Sequence, residues 1–263
     1  MKSQRILTMK NNRLSVKDLI ERIILATLFA AIGSLIIIVF SQYRPILSGV
    51  YDLFGRVSLI LILLIAALLA RRSKSLHNYW QLIFGLFIMA LAVSLDWWIA
   101  GLMLDSLGPY TNTPAGLALE KMKTVIIVAI AITILTRLSG SSLSSIYVQR
   151  GDLKRGLTIG FIAFGIAVAG SIPMSKLMFA GEDMSLIEVL NWAPWILIAV
   201  LANATNEELL FRGLFLRKLE PFYGKFLSNC LIVLVFSGLH LGVTYSRDQM
   251  FFLVSVVPLA LAW

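Results

Sequence analysis

Long apolar stretches broken by short polar and basic runs dominate the chain, on the scale of roughly 20 residues that a helix needs to cross a bilayer. They run from Ile20 to Phe40, Tyr51 to Ala70, Trp80 to Leu104, Met122 to Thr136, Leu157 to Leu177, Leu186 to Phe215 and Phe226 to Thr244. A further one begins at Met250 and reaches Trp263. No stretch alternates apolar and polar residues as the strands of a membrane barrel do, so helices are the predicted spanning elements. The pattern predicts an all-α fold, a polytopic transmembrane helical bundle of about 7–8 spanning segments.

Composition agrees. Of 263 residues, 59% are hydrophobic and 14% charged, and mean hydropathy is +0.87, outside the range of soluble domains. The basic head (Lys2, Arg5, Lys10, Arg13, Lys17) is like a signal-peptide start, but a long apolar stretch with no small-x-small cleavage site follows. An uncleaved anchor is therefore expected. Most of the other basic residues fall in alternate connections: Arg71, Arg72 and Lys74, then Arg137, Arg150, Lys154 and Arg155, then Arg217, Lys218 and Lys225. By the positive-inside rule these connections and the amino terminus are cytoplasmic, in a multi-pass protein of the cell membrane. The net charge of +9 follows from this bias and from attraction to anionic lipid headgroups. Membrane lipids are thus expected partners and nucleic acid is not. The lone Cys230 excludes an internal disulfide and a cysteine-based metal cluster.

Polar residues in or beside the apolar stretches sort by position. Asp52 and Arg56, and Lys121 and Lys123, stand near outer ends, where long side chains are expected to snorkel to the surface. Asp96, beside Trp97 and Trp98, is expected to cap or pack a helix near the outer interface. Trp192 and Trp195 flank Pro194 like an interfacial belt with a helix start or kink. The runs Arg137–Gly156 and Asp105–Lys123 read as ordinary loops, and His77 as a surface residue.

The stretch Asn203–Gly213, NATNEELLFRG, is the exception. Glu208 and Arg212 are four residues apart, with the acid N-terminal, in the better order for a helical ion pair. Glu207 is turned about 100° away, so one carboxylate is held by the arginine while the other meets different surroundings. A carboxylate desolvated without its own cation can serve as general base or acid. A structural Glu–Arg pair between packed helices is the plainer alternative. On the next helix Phe236 and His240 stand four apart, and Ser237 and Gly238 permit close helix approach. A lone intramembrane histidine is often a packing residue, but this one follows two carboxylates on the preceding helix. With Arg217 and Lys225 marking the inner boundary, Glu208 lies about 14 Å and His240 about 22 Å deep, so tilted helices or a displaced helix start are needed to bring them together. They are expected to meet.

Glu207-Glu208-x-x-x-Arg212 followed by Phe236-x-x-x-His240 resembles the first two motifs of the CPBP family of intramembrane proteases, also called the Abi or CAAX prenyl protease 2 family. The resemblance covers residues from about Gly156 onward. It implies N-terminal transmembrane helices over residues 1–155 and a protease core over 156–263. It further implies an intramembrane peptidase in which Glu207 activates water, Glu208 and Arg212 orient and tune it, and His240 binds a metal, zinc by resemblance, or stabilises an oxyanion. A peptide or membrane-associated protein would be the substrate. The family's third motif, a His followed four residues later by Asn or Asp, has no counterpart up to Trp263, so the core is expected to be incomplete at its C-terminal end. A non-catalytic scaffold, for immunity or regulation, is the alternative function, and a transporter using Asp96 the third. His-Glu-x-x-His, Gly-x-Gly-Asp and Gly-x-Ser-Gly motifs of other intramembrane proteases are absent.

Overall fold

A computed structural model describes residues 15–40, 46–107, 113–179 and 186–240. Every regular element in them is helical. The expected stretch after Met250 and the end of the seventh segment at Thr244 lie outside the described residues.

Helix α1 (Val16–Ser34) opens with a reciprocal cap: the Asp18 amide donates to Ser15 Oγ and the Ser15 amide to Asp18 Oδ2, satisfying two otherwise orphan donors. A π turn, Leu35–Val39, continues it. Helix α2 (Gly49–Arg72) ends on Arg71 and Arg72, which complement the negative end of its dipole. Helix α3 spans Trp80–Leu107. Helix α4 (Pro114–Leu138) starts well before the expected Met122, because Thr113 caps Gly116 and Pro114 occupies the first turn, where a missing N–H costs nothing. Helix α5 spans Leu153–Phe179, and α6 spans Leu186–Glu207 with Pro194 inside it. A second π turn, Glu208–Gly213, leads without a break into α7 (Leu214–His240).

Four stretches among the described residues are long and apolar enough to cross a membrane: Val16–Ile37, Gly49–Arg72, His77–Ala100 and Leu190–Ser237. Helix α3 is the centre of the bundle, packed against α2, α4 and α7, while α6 lies along α4 and α1 along α7. Consecutive residues from Leu86 to Ala90 are buried, as expected of a helix that is apolar all round. Ile36, Met89, Ile132, Leu214, Leu219 and Val235 close the core. On the outside, Leu61, Ile62, Ile65 and Leu69 of α2 and Ile126, Ile130 and Ile134 of α4 are exposed, an apolar surface suited to lipid rather than water.

The long segment Leu190–Ser237 doubles back. Gly224 has φ 71° and ψ 173°, a conformation that is essentially restricted to glycine. The rings of Phe211 and Phe236 meet edge-on at 5.3 Å, although on a straight helix they would be about 38 Å apart. The two arms of α7 therefore run antiparallel on either side of Gly224. Tyr223, just before the turn, donates from its hydroxyl to the Arg22 carbonyl at 2.6 Å, tying the hairpin to α1.

Two expectations about charged residues are corrected. Asp52 and Arg56 do not snorkel: their exposures are 5% and 0%. Arg56 Nε donates to both Asp52 oxygens at 3.0 and 2.8 Å, and Nη2 donates to the Phe40 carbonyl. The guanidinium lies about 5 Å from the Phe40 and Trp97 rings. Lys123 likewise turns inward to Asp96, 3.7 Å away, which also accepts from the Thr124 hydroxyl. Asp96 thus packs α3 against α4. Hydropathy registers where an ion falls along a helix but not whether that face meets lipid or a neighbouring helix.

Candidate active site at the helical hairpin

The acidic motif falls where α6 widens into the π turn. The amide of Leu214 reaches the Leu209 carbonyl five residues back, a loosening of the helix often found at functional sites. Arg212 Nη1 lies 3.6 Å from Glu208 Oε2, close enough for an ion pair and too far for a hydrogen bond. Oε2 is itself buried and has no hydrogen-bond partner. Arg212 is mostly covered at 16% side-chain exposure, while the Glu208 side chain is 45% exposed. Glu207 is half-buried and accepts from Asn203 Nδ2 at 2.8 Å. The two carboxylates thus occupy the distinct surroundings that their spacing predicts.

Glu208 opens on a cleft of 350 Å³, whose far wall is Ile146, Tyr147 and Val148 from the connection between α4 and α5. Gly213 brings that wall in: a Cβ there would stand 3.3 Å from the Glu208 carbonyl oxygen and 3.4 Å from that of Ile146. A side chain there would crowd the Glu208 carbonyl slightly and just touch that of Ile146. Tyr147 is left-handed, with φ 62°, and its ring is covered by the Arg217 guanidinium at 4.3 Å. Arg217 also donates to the Ser144 carbonyl, and the Tyr147 hydroxyl donates to Glu220 at 3.4 Å. Burial pushes the Tyr147 phenol above its usual value, a rise that Arg217 opposes and Glu220 assists.

The second motif arrives on the returning arm of α7. Phe211, inside the first motif, touches Phe236, the first residue of the second. Glu208 and His240 lie the same number of residues from Gly224, about 24 Å of helix on each arm. The backbone of His240 is therefore level with the two glutamates. The difference in depth expected from the sequence disappears because the first arm continues past Arg217 to the turn. The side chain of His240 lies outside what is described. Ser237, one turn before it, is buried with no partner for its Oγ.

Asn203 and the Tyr147 wall are contributions not anticipated from sequence. Asn203 stands four residues before Glu207, the same spacing that marks Glu208 and Arg212, so it was legible. Nothing in the serine-rich run before Tyr147 signals that it reaches the motif.

Zinc in catalytic sites takes three protein ligands; no three His, Cys, Asp or Glu residues cluster among the described residues, and the side chain of His240, the expected ligand, is not among them.

Helices of this length define an integral membrane protein, and the hairpin that turns at Gly224 holds a polar site. Residues 189–263 match the family model described as type II CAAX prenyl endopeptidase Rce1-like, and that stretch is a domain of the CPBP/Abi family. The match includes both motifs and leaves α1 to α5 outside it. No curated protein and no solved structure shows significant similarity to the chain.

Proposed function

We propose that the chain is an intramembrane peptidase that hydrolyses a peptide bond of a membrane-associated protein or peptide with water activated by Glu207. The observation that carries this reading is the level of the hairpin: the family domain's two motifs lie side by side, with Phe211 against Phe236. Asn203 holds Glu207 at 2.8 Å and so orients it as general base. Water deprotonated there attacks the scissile carbonyl, and the proton passes to the leaving amine. Arg212 holds Glu208 in place, and His240, one turn past Phe236, stabilises the oxyanion.

The finer organisation belongs to the same reading. Residues 1–155 are N-terminal transmembrane helices and 156–263 the protease core, within seven or eight spans. The amino terminus is cytoplasmic, as the basic connections require, and the cleft beside Glu208 opens to that side. A non-catalytic scaffold that keeps the family fold is the second reading.

The test is cleavage of a membrane-presented reporter peptide library by the purified chain beside Glu207→Gln. The expected result is turnover that drops by roughly 10²–10⁴-fold in the variant, the usual contribution of a general base. Absence of turnover in the folded wild-type chain, or equal turnover in both proteins, excludes the mechanism.

A further inference from the structure

Where α2 gives way to α3, away from the glutamates, an apolar cleft of 250 Å³ lies between α2, α3 and α4. Leu64, Leu68, Phe87, Leu135 and Leu138 line it, and Leu68 and Leu138 are exposed at its open side. Its mouth is cationic. The Arg71 guanidinium sits 5.0 Å over the ring of Trp80, and both belong to the lining. Trp80, Phe84 and Ser139 are shared with a small polar recess, which adds Thr136, Ser141, Ser145 and Lys218. The Lys218 ammonium donates to the Leu214 carbonyl. Thr136 is 3% exposed, and its Oγ1 has no hydrogen-bond partner. Neither lining contains an Asp or Glu.

We propose that this cleft and recess form a binding site for an anionic phospholipid. One acyl chain lies in the Leu64–Leu138 cleft, and the headgroup phosphate sits between Arg71 and the recess of Ser139, Thr136 and Lys218. Charge complementarity selects the occupant. Two cations, the unpartnered Thr136 hydroxyl and the lack of a lining carboxylate favour a net negative headgroup over a zwitterionic one, and the apolar cleft adds a demand that inorganic phosphate does not meet. Arginine stacked on tryptophan is also suited to the headgroup level of a bilayer, where amphipathic rings and long basic side chains concentrate. The site would tie α2, α3 and α4 to Lys218 in the first arm of α7, which leads to the acidic motif.

Quenching of Trp80 fluorescence tests this in the full chain, reconstituted with brominated phosphatidylglycerol or brominated phosphatidylcholine. The Trp80→Phe protein supplies the background of the other tryptophans. Phosphatidylglycerol should occupy the site in preference by roughly fivefold per cation, the equivalent of about 1 kcal/mol each. The preference should fall in Arg71→Gln and again with Lys218→Gln, and persist in Arg71→Lys. Arg72→Gln, which removes the same charge next to the site but outside its lining, should leave it unchanged. Equal quenching by the two lipids overturns the proposal and leaves an ordinary lipid-facing groove. So does an equal loss in Arg72→Gln, or displacement of the lipid by millimolar inorganic phosphate. None of these readings depends on proteolysis.

Discussion

Removing Arg56 alone should destabilise the bundle severely, and removing it together with Asp52 should not. Arg56 is fully buried, bidentate on Asp52 and bonded to the Phe40 carbonyl. In Arg56→Met the Asp52 carboxylate keeps its buried position and loses its cation, a change that costs about 3–5 kcal/mol in buried pairs. Asp52→Leu strands the guanidinium and should cost a similar amount. In the double variant Asp52→Leu/Arg56→Leu both desolvation penalties vanish, which in buried pairs is often neutral or stabilising. What remains is the loss of the two aromatic contacts with Phe40 and Trp97, about 0.5–2 kcal/mol each, against the gain of two leucines in an apolar interior. The double variant should therefore lie within about 2 kcal/mol of wild type, far above the sum of the singles. Unfolding in mixed micelles with increasing dodecyl sulfate, followed by far-ultraviolet circular dichroism, measures all four proteins. Singles costing under about 1 kcal/mol, or a double equal to their sum, would place the pair in the headgroup region and refute its burial.

The other predictions concern the turn and the cleft. Gly224→Ala should lose about 1–3 kcal/mol in the same assay, because alanine cannot adopt the turn's backbone without strain; an unchanged midpoint would mean that the hairpin does not depend on that conformation. Gly213→Ala should lie within about 1 kcal/mol of wild type, because the methyl's slight crowding of the Glu208 carbonyl is set against alanine's better helix propensity, and should increase proteolytic nicking near Tyr147. If nicking is unchanged, the wall does not rest on Gly213.

Much of the helical framework was legible, since apolar runs of spanning length have few other fates. The Glu208–Arg212 pair followed from helical spacing alone, whereas the contact between Phe211 and Phe236 depends on the turn at Gly224. The burial of Asp52, Arg56 and Lys123 was not legible, because a stretch such as Tyr51–Ala70 has the same hydropathy whichever face it turns to its neighbours. The π turn at Glu208 leaves no mark in composition. Tyr147 meets the cleft only through a left-handed backbone and Gly213, 66 residues further along the chain, a tertiary contact without local periodicity. Gly224 was visible among the turn residues of a basic connection, but its position midway between the motifs matters only when both arms are helical.

The claim on which the chemistry rests is that the hairpin at Gly224 brings the two motifs to one level, and a distance measurement addresses it most directly. Spin labels at Thr205→Cys and Leu234→Cys, both exposed, can be placed in a Cys230→Ser background because Cys230 is the sole cysteine. With antiparallel arms 8–10 Å apart and a turn at Gly224, double electron–electron resonance should give roughly 20 Å between the labels. A distance near 44 Å, that of one uninterrupted helix, would separate Glu207 from His240 and contradict the account.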